Sequence, residues 1–269
     1  MPTWNIALPM YAISPRLREA NAAFLQVFID ELRALGWHAP IQIIEPRFDS
    51  IDAHWRDPYL LLSQTCGYPL MTRLHQRVQL LAVPSYQAEG FAGSHYRSRL
   101  IVPQHSPVQT LADLRGAVAV INNPDSHSGM NALRHAVAPL AVDGSFFSAV
   151  RVSGSHVASI EQVRCGQAAV AAIDPVTWAH LLDEQPQALA PLRTLGWSAP
   201  APGLPLVGSR ALSARQLAWI RTALAASLVS APELAQRLRL EGFGDARWHD
   251  YQRILEMAEQ PLPLQHFPA

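Results

Sequence analysis

The amino-acid sequence predicts an α/β protein built as two lobes. Short apolar runs alternate with amphipathic stretches along the 269 residues, which is typical of βα units on a mainly parallel sheet. Hydrophobic residues make up 49% of the chain, and its length fits one large domain or two lobes of ordinary size. The stretch WSAPAPGLP, residues 197–205, is rich in proline and glycine and indicates a crossover. We therefore expect one lobe from residues 1–97 plus 204–269, and the other from residues 98–203.

The first lobe begins with a predicted strand, Trp4–Leu8, and a long helix, Pro15–Leu35. Phe24 and Phe28 recur at helical spacing, and Gly36 follows as a stop signal. Further strands are predicted at Ile41–Ile44, Tyr59–Leu62, Val78–Val83 and Leu100–Val102. Helical patterns close the chain at Ala214–Val229, Pro232–Leu240 and Trp248–Glu259.

The second lobe repeats a strand–loop–helix pattern. Its predicted strands are Ala117–Ile121, Phe146–Val152 and Ala168–Ile173, and its predicted helices are Thr110–Arg115, Met130–Ala138, Val157–Arg164 and one that starts at Pro175. Open α/β sheets bind ligands at the carboxyl ends of their strands. The loops after these strands are therefore the first place to look for a site.

Composition excludes several classes of protein. Lys plus Arg equals Asp plus Glu at 21 each, which argues against a nucleic-acid binder. No apolar run approaches the ~18 residues of a membrane span. The N-terminal residues lack the regions of a signal peptide, so the sequence as written predicts a soluble cytoplasmic protein. No nucleotide-binding glycine motif or metal-binding cluster is found, so no cofactor or metal is expected.

The loop Asn122–Gly129 (NNPDSHSG) is the most informative stretch. It lies between a strand and a helix, where free backbone N–H groups and the helix dipole favour an anion. Ser126 and Ser128 add hydroxyl donors, His127 lies between them, and Gly129 leaves room for an oxyanion. The alternative interpretation is an ordinary helix N-cap, for which Ser and Asp are usual.

The loop Ser153–His156 (SGSH) follows the same logic, with small hydroxyls and a glycine at a helix start. His156 adds an imidazole whose usual pKa near 6.5 predicts a charge that changes with pH. The alternative for His156 is a capping or exposed histidine. Two such loops in one lobe point to the same edge of the sheet.

Other polar groups also follow predicted strands. Asp174 either caps the helix at Pro175 or faces the cleft, and both roles are compatible. Tyr11, Gln64 and Thr65 follow strands of the first lobe, and Tyr96 lies near the first crossing.

The two cysteines, Cys66 and Cys165, are too few for a disulfide framework and are expected as separate thiols. Cys66 is also a weak candidate nucleophile, with His75 or His127 as its base.

These stretches together resemble the phosphate/phosphonate-binding family of ABC-transporter solute-binding proteins. The resemblance rests on YRSRLIVPQHSPVQTLADLRGAVAVINNPDSHSGMNALR, VSGSHVASIEQVRCGQAAVAAIDPVTW and APGLPLV, with LPMY and QTCGYP earlier in the chain. It implies a two-lobed type II periplasmic-binding-protein fold with a ligand cleft between the lobes. The sequence departs from the family pattern at His127, where a small hydroxyl residue is common.

The resemblance also implies the ligand contacts. Serines matching Ser126 and Ser128 hold the phosphonyl oxygens in the family, and Tyr96 and His156 match further ligand contacts. Backbone donors are expected from His127 and Gly129, while Asp174, Tyr11, Gln64 and Thr65 complete the candidate set.

The function expected from the resemblance is the binding of a small oxyanion (phosphonate, phosphate or a phosphite-like anion) in the interdomain cleft. The protein would serve an ABC permease, would not be an enzyme, and would be periplasmic by resemblance. Two alternatives remain open at this point: a cytoplasmic enzyme on the same fold that acts on a small organic acid, and a ligand-sensing protein.

Overall fold

A computed structural model describes residues 2–259 of the chain. The strands are β1 Trp4–Ala7, β2 Ile41–Ile43, β3 Leu60–Gln64, β4 Val78–Tyr86, β5 Phe91–Ala92, β6 His95–Tyr96, β7 Arg99–Pro103, β8 Val118–Ile121, β9 Ala149–Val152, β10 Val170–Ile173, β11 Leu192–Trp197, β12 Ala201–Pro202, β13 Leu206–Ser209 and β14 Leu240–Gly244. The α-helices are α1 Pro15–Ala34, α2 Ile51–Trp55, α3 Gly67–Pro69, α4 Ala132–Val137, α5 His156–Arg164, α6 Pro175–Glu184, α7 Pro186–Leu189, α8 Ala214–Ser230, α9 Pro232–Arg237 and α10 Trp248–Ala258. Short 3₁₀ turns lie at Phe48–Ser50, Leu111–Leu114 and Ala138–Leu140, and π turns at Leu70–Leu74 and His127–Asn131.

The chain forms two compact units. Within the described residues, the first unit comprises residues 2–87, 92–94 and 203–250, and the second comprises residues 88–91, 95–202 and 251–259. The sequence prediction placed residues 251–259 in the first lobe, whereas the structure places them in the second unit. The apolar face of α10, formed by Tyr251, Ile254 and Met257, is buried. Residues 260–269, also predicted in the first lobe, lie outside the described residues.

The first unit is a six-stranded sheet with helices packed on it. The strand order is β14-β4-β13-β3-β1-β2. Strand β1 is parallel to β2 and β3, whereas β13 is antiparallel to β3 and β4, and β14 is antiparallel to β4. The sheet is therefore mixed and not mainly parallel as predicted, because the strands after residue 203 enter it in the opposite direction.

Helix α1 shows how the sequence specifies an element of this unit. Ser14 is its N-cap and accepts a hydrogen bond from the Leu17 N–H at 3.1 Å, and Pro15 occupies the first helical position. Gly36 ends the helix with a φ of +103°, a conformation that glycine adopts at little cost. Its buried face contributes Phe28 and Leu32 to the core of the first unit.

The second unit is built on a five-stranded sheet with the order β11-β7-β10-β8-β9. Strand β8 is parallel to β9 and β10, and β7 is antiparallel to β10 and β11. Ile121 at the end of β8 pairs with Val152 at the end of β9. The loops after these two strands therefore leave the sheet side by side at one edge.

A buried arginine at the start of β7, beside the carboxyl end of β10, contacts two tryptophan rings. The Arg99 guanidinium lies 4.4 Å from the Trp197 ring centroid and 5.0 Å from that of Trp178, and it forms a 2.6 Å ion pair with Glu89. Gly90 has a φ of +96°, and a Cβ built on it would lie 2.3 Å from the Trp197 ring. Glycine is therefore required at this position both for conformation and for space.

No helix within residues 2–259 is long and apolar enough to cross a lipid bilayer.

Candidate functional site

The loop after β8 ends in a π turn at His127–Asn131. Ser126 begins this turn: its Oγ accepts a hydrogen bond from the Gly129 N–H at 3.0 Å, and its carbonyl accepts from the Met130 and Asn131 N–H groups. The interpretation of Ser126 as a helix N-cap is therefore confirmed. A hydroxyl oxygen has two acceptor sites and one O–H donor, so capping leaves the donor free to serve another group.

The structure gives a specific reason for glycine at position 129. A Cβ built there would lie 1.9 Å from Asn122 Oδ1 and 2.9 Å from Asn122 Cγ. The sequence prediction assigned the space at Gly129 to an approaching oxyanion, whereas the structure fills it with the Asn122 side chain. The Gly129 N–H already donates to Ser126 Oγ, so a ligand that used this N–H would have to replace that bond.

The loop after β9 is tied to the loop after β8 through its backbone. The Ser153 N–H donates to the Ile121 carbonyl at 2.9 Å, and the Gly154 N–H donates to the Asn122 carbonyl at 2.8 Å. Ser155 caps α5, its Oγ accepting from the Ala158 N–H at 3.1 Å. The first residue of α5 is therefore held in a fixed place beside the other loop.

That first residue is His156, and it joins the two loops. Its Nε2 lies 2.8 Å from Ser128 Oγ, and Ser128 Oγ lies 3.3 Å from Ser126 Oγ. Both serines are buried. We call Ser126, Ser128 and His156 the serine–histidine cluster. The convergence of the two loops at one edge of the sheet, expected from the sequence, is confirmed.

Both imidazoles at this edge are neutral at neutral pH. Withdrawal from solvent lowers the pKa of His156 to about 4, with the Ala172 backbone carbonyl opposing the shift. Burial lowers the pKa of His127 to about 3, and the positive charges of His135 and Arg253 lower it further. The expectation that His156 keeps an imidazole pKa near 6.5 is therefore wrong, because sequence does not reveal the solvent exposure of a ring.

Tyr96 lies at this edge of the sheet, where its ring contacts the His127 ring. The two rings meet edge to face with centroids 6.3 Å apart, and the Tyr96 ring also stacks on Phe91 with centroids 6.2 Å apart. Tyr96 is buried. The structure thus brings Tyr96 to the loop that carries the two serines, and a contact between Tyr96 and a ligand stays a prediction.

Asp174 ends β10 at the same edge of the sheet. Its Oδ1 accepts hydrogen bonds from the Val176 and Thr177 N–H groups at 2.8 and 3.1 Å, with Pro175 at the first position of α6. The predicted helix-capping role is therefore confirmed. A contact between Asp174 and a ligand stays a prediction.

Two of the three candidates in the first unit, Gln64 and Tyr11, contact the buried Tyr86. The Gln64 amide donates to Tyr86 Oη at 3.1 Å and to the Leu204 carbonyl at 3.2 Å, and the Tyr11 ring meets the Tyr86 ring edge to face at 5.1 Å. The Thr65 hydroxyl lies 3.3 Å from the Cys66 carbonyl. These bonds give Gln64 and Thr65 clear structural roles.

Sequence reasoning missed three residues around these groups. Tyr86 was not identified because β4 was predicted to end at Val83, although the apolar alternation continues to Tyr86. Asn122 was included in the loop but not as the neighbour of Gly129, and Arg253 has no local signal at all. Cys66 and Cys165 form no disulfide, as expected.

Comparison with solved structures shows the class of fold. The chain is similar to a binding protein component of an ABC phosphonate transporter from Pseudomonas aeruginosa (TM-score 0.76, 19% identity, covering 96% of this chain and 85% of that one). It is also similar to PhnD1 from Prochlorococcus marinus, solved in complex with methylphosphonate (TM-score 0.72, 16% identity, covering 95% of this chain and 97% of that one). A third similar structure is the aliphatic sulphonate-binding protein SsuA from Escherichia coli (TM-score 0.58, 14% identity, covering 96% of this chain and 86% of that one). The fold is the two-lobed type II fold of periplasmic binding proteins.

Sequence comparison identifies the family. Residues 60–251, well over half of the chain, match the family described as "ABC transporter, phosphonate, periplasmic substrate-binding protein", and the chain belongs to this family. No curated protein matches the chain at the level of sequence. The family consists of substrate-binding proteins and not enzymes, so the prediction of a binding protein is confirmed. A small-molecule ligand and a permease partner are implied for a family member, and the family acts in the periplasm.

Proposed function

We propose that this chain binds a phosphonate or phosphate anion at the serine–histidine cluster and delivers it to an ABC permease in the periplasm. The observation that carries the proposal is the 2.8 Å contact between Ser128 Oγ and His156 Nε2. Two separate helix starts converge there, and helix starts are favourable sites for oxyanions. Membership of the family and the methylphosphonate bound to PhnD1 support the same ligand class.

The charge state of the cluster favours a ligand that carries its own proton. His156 is neutral at neutral pH, and a neutral imidazole has one ring nitrogen that accepts a hydrogen bond. A monoprotonated phosphonate can donate its P–OH to that nitrogen while its other oxygens accept from the serine hydroxyls. A sulphonate has no such proton, so we propose that phosphonates bind more tightly than sulphonates of the same size.

The first test separates binding from folding. Ser128→Ala removes one hydroxyl of the cluster but no helix cap, so it should weaken methylphosphonate binding in a protein that still folds. The free protein should lose about 1–3 kcal/mol of stability, because His156 Nε2, withdrawn from solvent, loses its hydrogen-bond partner. The loss of one hydrogen bond to a charged ligand corresponds to about tenfold to hundredfold in Kd.

Ser155→Ala is the matched control. It removes the cap of α5, which costs about 1 kcal/mol of stability, but it leaves the cluster hydroxyls in place. Titration calorimetry with methylphosphonate, phosphate and methanesulphonate and a thermal melt of each variant give the comparison. If Ser128→Ala binds methylphosphonate as the wild type does, the cluster is not the binding site.

A further inference from the structure

A cavity of about 460 Å³ in the first unit is lined by three arginines. Arg210, Arg221 and Arg247 contribute the guanidinium groups, and His75 and Trp248 contribute rings that meet edge to face with centroids 4.8 Å apart. We call these five residues the arginine cavity. Its volume lies within the range of small-molecule sites, which is roughly 300–1,000 Å³.

The positive charge of this cavity is not neutralised by the protein. None of the residues that line it within the described chain is acidic, and none of the three arginines has a carboxylate partner among residues 2–259. Asp245 and Asp250 are close to Arg247 in sequence but do not line the cavity. The whole chain has as many acidic as basic side chains. Three arginines without acidic neighbours in one cavity are therefore a local feature and not the result of an excess of basic residues.

Two of the guanidinium groups are held in position by the backbone. Arg210 Nη1 donates to the Gln76 carbonyl at 2.9 Å, and Arg221 Nε donates to the Leu81 carbonyl at 3.0 Å. Each group has five N–H donors, so most of them remain for a ligand. Arg247 has no side-chain partner within the described part of the chain, which leaves its whole guanidinium fork available.

We propose that the arginine cavity is a second anion site, which takes a multiply charged phosphate chain. Guanidinium groups bind phosphate oxygens in a bidentate manner, and a concave surface of one charge sign raises the local concentration of the opposite ion. Three guanidinium groups suit a di- or triphosphate better than a single small anion. The source is either inorganic or a nucleoside polyphosphate, whose base would lie against Trp248.

The two sites differ in charge and in composition. The serine–histidine cluster lies in the second unit and is neutral, whereas the arginine cavity lies in the first unit and carries three full charges. The second site stands whether or not the first binds a phosphonate.

The test titrates the full-length protein with inorganic triphosphate and with a nucleoside triphosphate, without divalent cations, before and after saturation with methylphosphonate. Arg247→Gln should weaken triphosphate binding about tenfold or more, because one bidentate partner of the charged ligand is lost. Arg237→Gln is the matched control, since Arg237 is exposed in the same unit but does not line the cavity. Methylphosphonate affinity should be the same in all three proteins.

The outcomes separate the possibilities. If Arg247→Gln and Arg237→Gln weaken triphosphate binding equally, the anion responds only to the net charge of the protein surface, and the proposal is wrong. If methylphosphonate displaces the triphosphate, the triphosphate binds at the serine–histidine cluster, and the proposal of a second site is wrong. If the nucleoside triphosphate binds more tightly than inorganic triphosphate, and Trp248→Leu removes that difference, the ligand is a nucleotide. If both forms bind equally, the ligand is an inorganic phosphate chain.

Discussion

The contact between Gly129 and Asn122 makes a prediction whose sign is not obvious. Gly129→Ala replaces a glycine inside a helical turn, and its φ lies outside the left-handed region, so helix propensity alone would favour alanine by about 1 kcal/mol. The new Cβ, however, would lie 1.9 Å from Asn122 Oδ1, far inside the 3.0 Å that Cβ contacts respect. Either the asparagine side chain or the turn must move.

The clash should outweigh the propensity. Forced overpacking costs about 1–3 kcal/mol, so subtracting the gain of about 1 kcal/mol in helix propensity leaves a net loss of about 1 kcal/mol at the middle of that range. For a chain of this size, a loss of about 1 kcal/mol corresponds to a fall of roughly 2–4 °C in melting temperature. Methylphosphonate affinity should also fall, because Ser126 and Ser128 belong to the same turn.

A double-mutant cycle tests the cause. The backbone nitrogen of Asn122 lies 3.4 Å from the built Cβ, an ordinary contact, so only the side chain is in the way. Asn122→Ala combined with Gly129→Ala should therefore recover most of the stability that Gly129→Ala loses, with a coupling of about 0.5–3 kcal/mol. Gly196→Ala is the control, because nothing lies within 4 Å of its Cβ position and its φ is ordinary. The reasoning fails if Gly129→Ala melts at the wild-type temperature or if the two changes are simply additive.

Two further predictions concern stability. The pKa values of His127 and His156, about 3 and about 4, lie below the 6.5 of an unfolded histidine, so the unfolded chain binds more protons below pH 6.5 and stability should fall as the pH drops from about 6.5 towards 4. His127→Gln should make melting temperature less dependent on pH in that range, and an unchanged slope would contradict the burial of His127 as a neutral ring. Gly90→Ala should lower the melting temperature more than Gly166→Ala, because both glycines have positive φ but only Gly90 faces another residue, the Trp197 ring at 2.3 Å. Equal losses would show that backbone strain alone matters at position 90.

The sequence predicts best the elements that carry their own local signals. Helix α1 has a cap, a proline at its first turn, a periodic apolar face and a terminal glycine, and its observed bounds differ from the predicted ones by one residue. Strand β14, Leu240–Gly244, was missed because its two glycines and short length resemble a loop, and its stability comes from pairing with β4. The mixed order of the sheets was missed for the same reason: strand direction depends on distant partners.

The residues of the candidate site also fall into those that local sequence signals predict and those that depend on distant contacts. The serines and glycines of the two loops were found because a hydroxyl-rich helix start is a local pattern. The link between Ser128 and His156 depends on the pairing of β8 with β9, which the sequence suggested only through the order of its units. The neutral state of His156 and the role of Asn122 depend on burial and on side-chain packing, which no single stretch of sequence reveals.

The register of β8 with β9 limits how this part of the chain can change in evolution. Ile121 pairs with Val152, and the next residues, Asn122 and Ser153, begin the two loops. Inserting or deleting one residue in either strand would move its loop by about 3.3 Å and turn its side chains to the other face of the sheet. The imidazole would then lose the 2.8 Å contact with Ser128. Descendants of this protein should therefore tolerate substitutions within Val118–Ile121 and Ala149–Val152 far better than changes in the length of those strands.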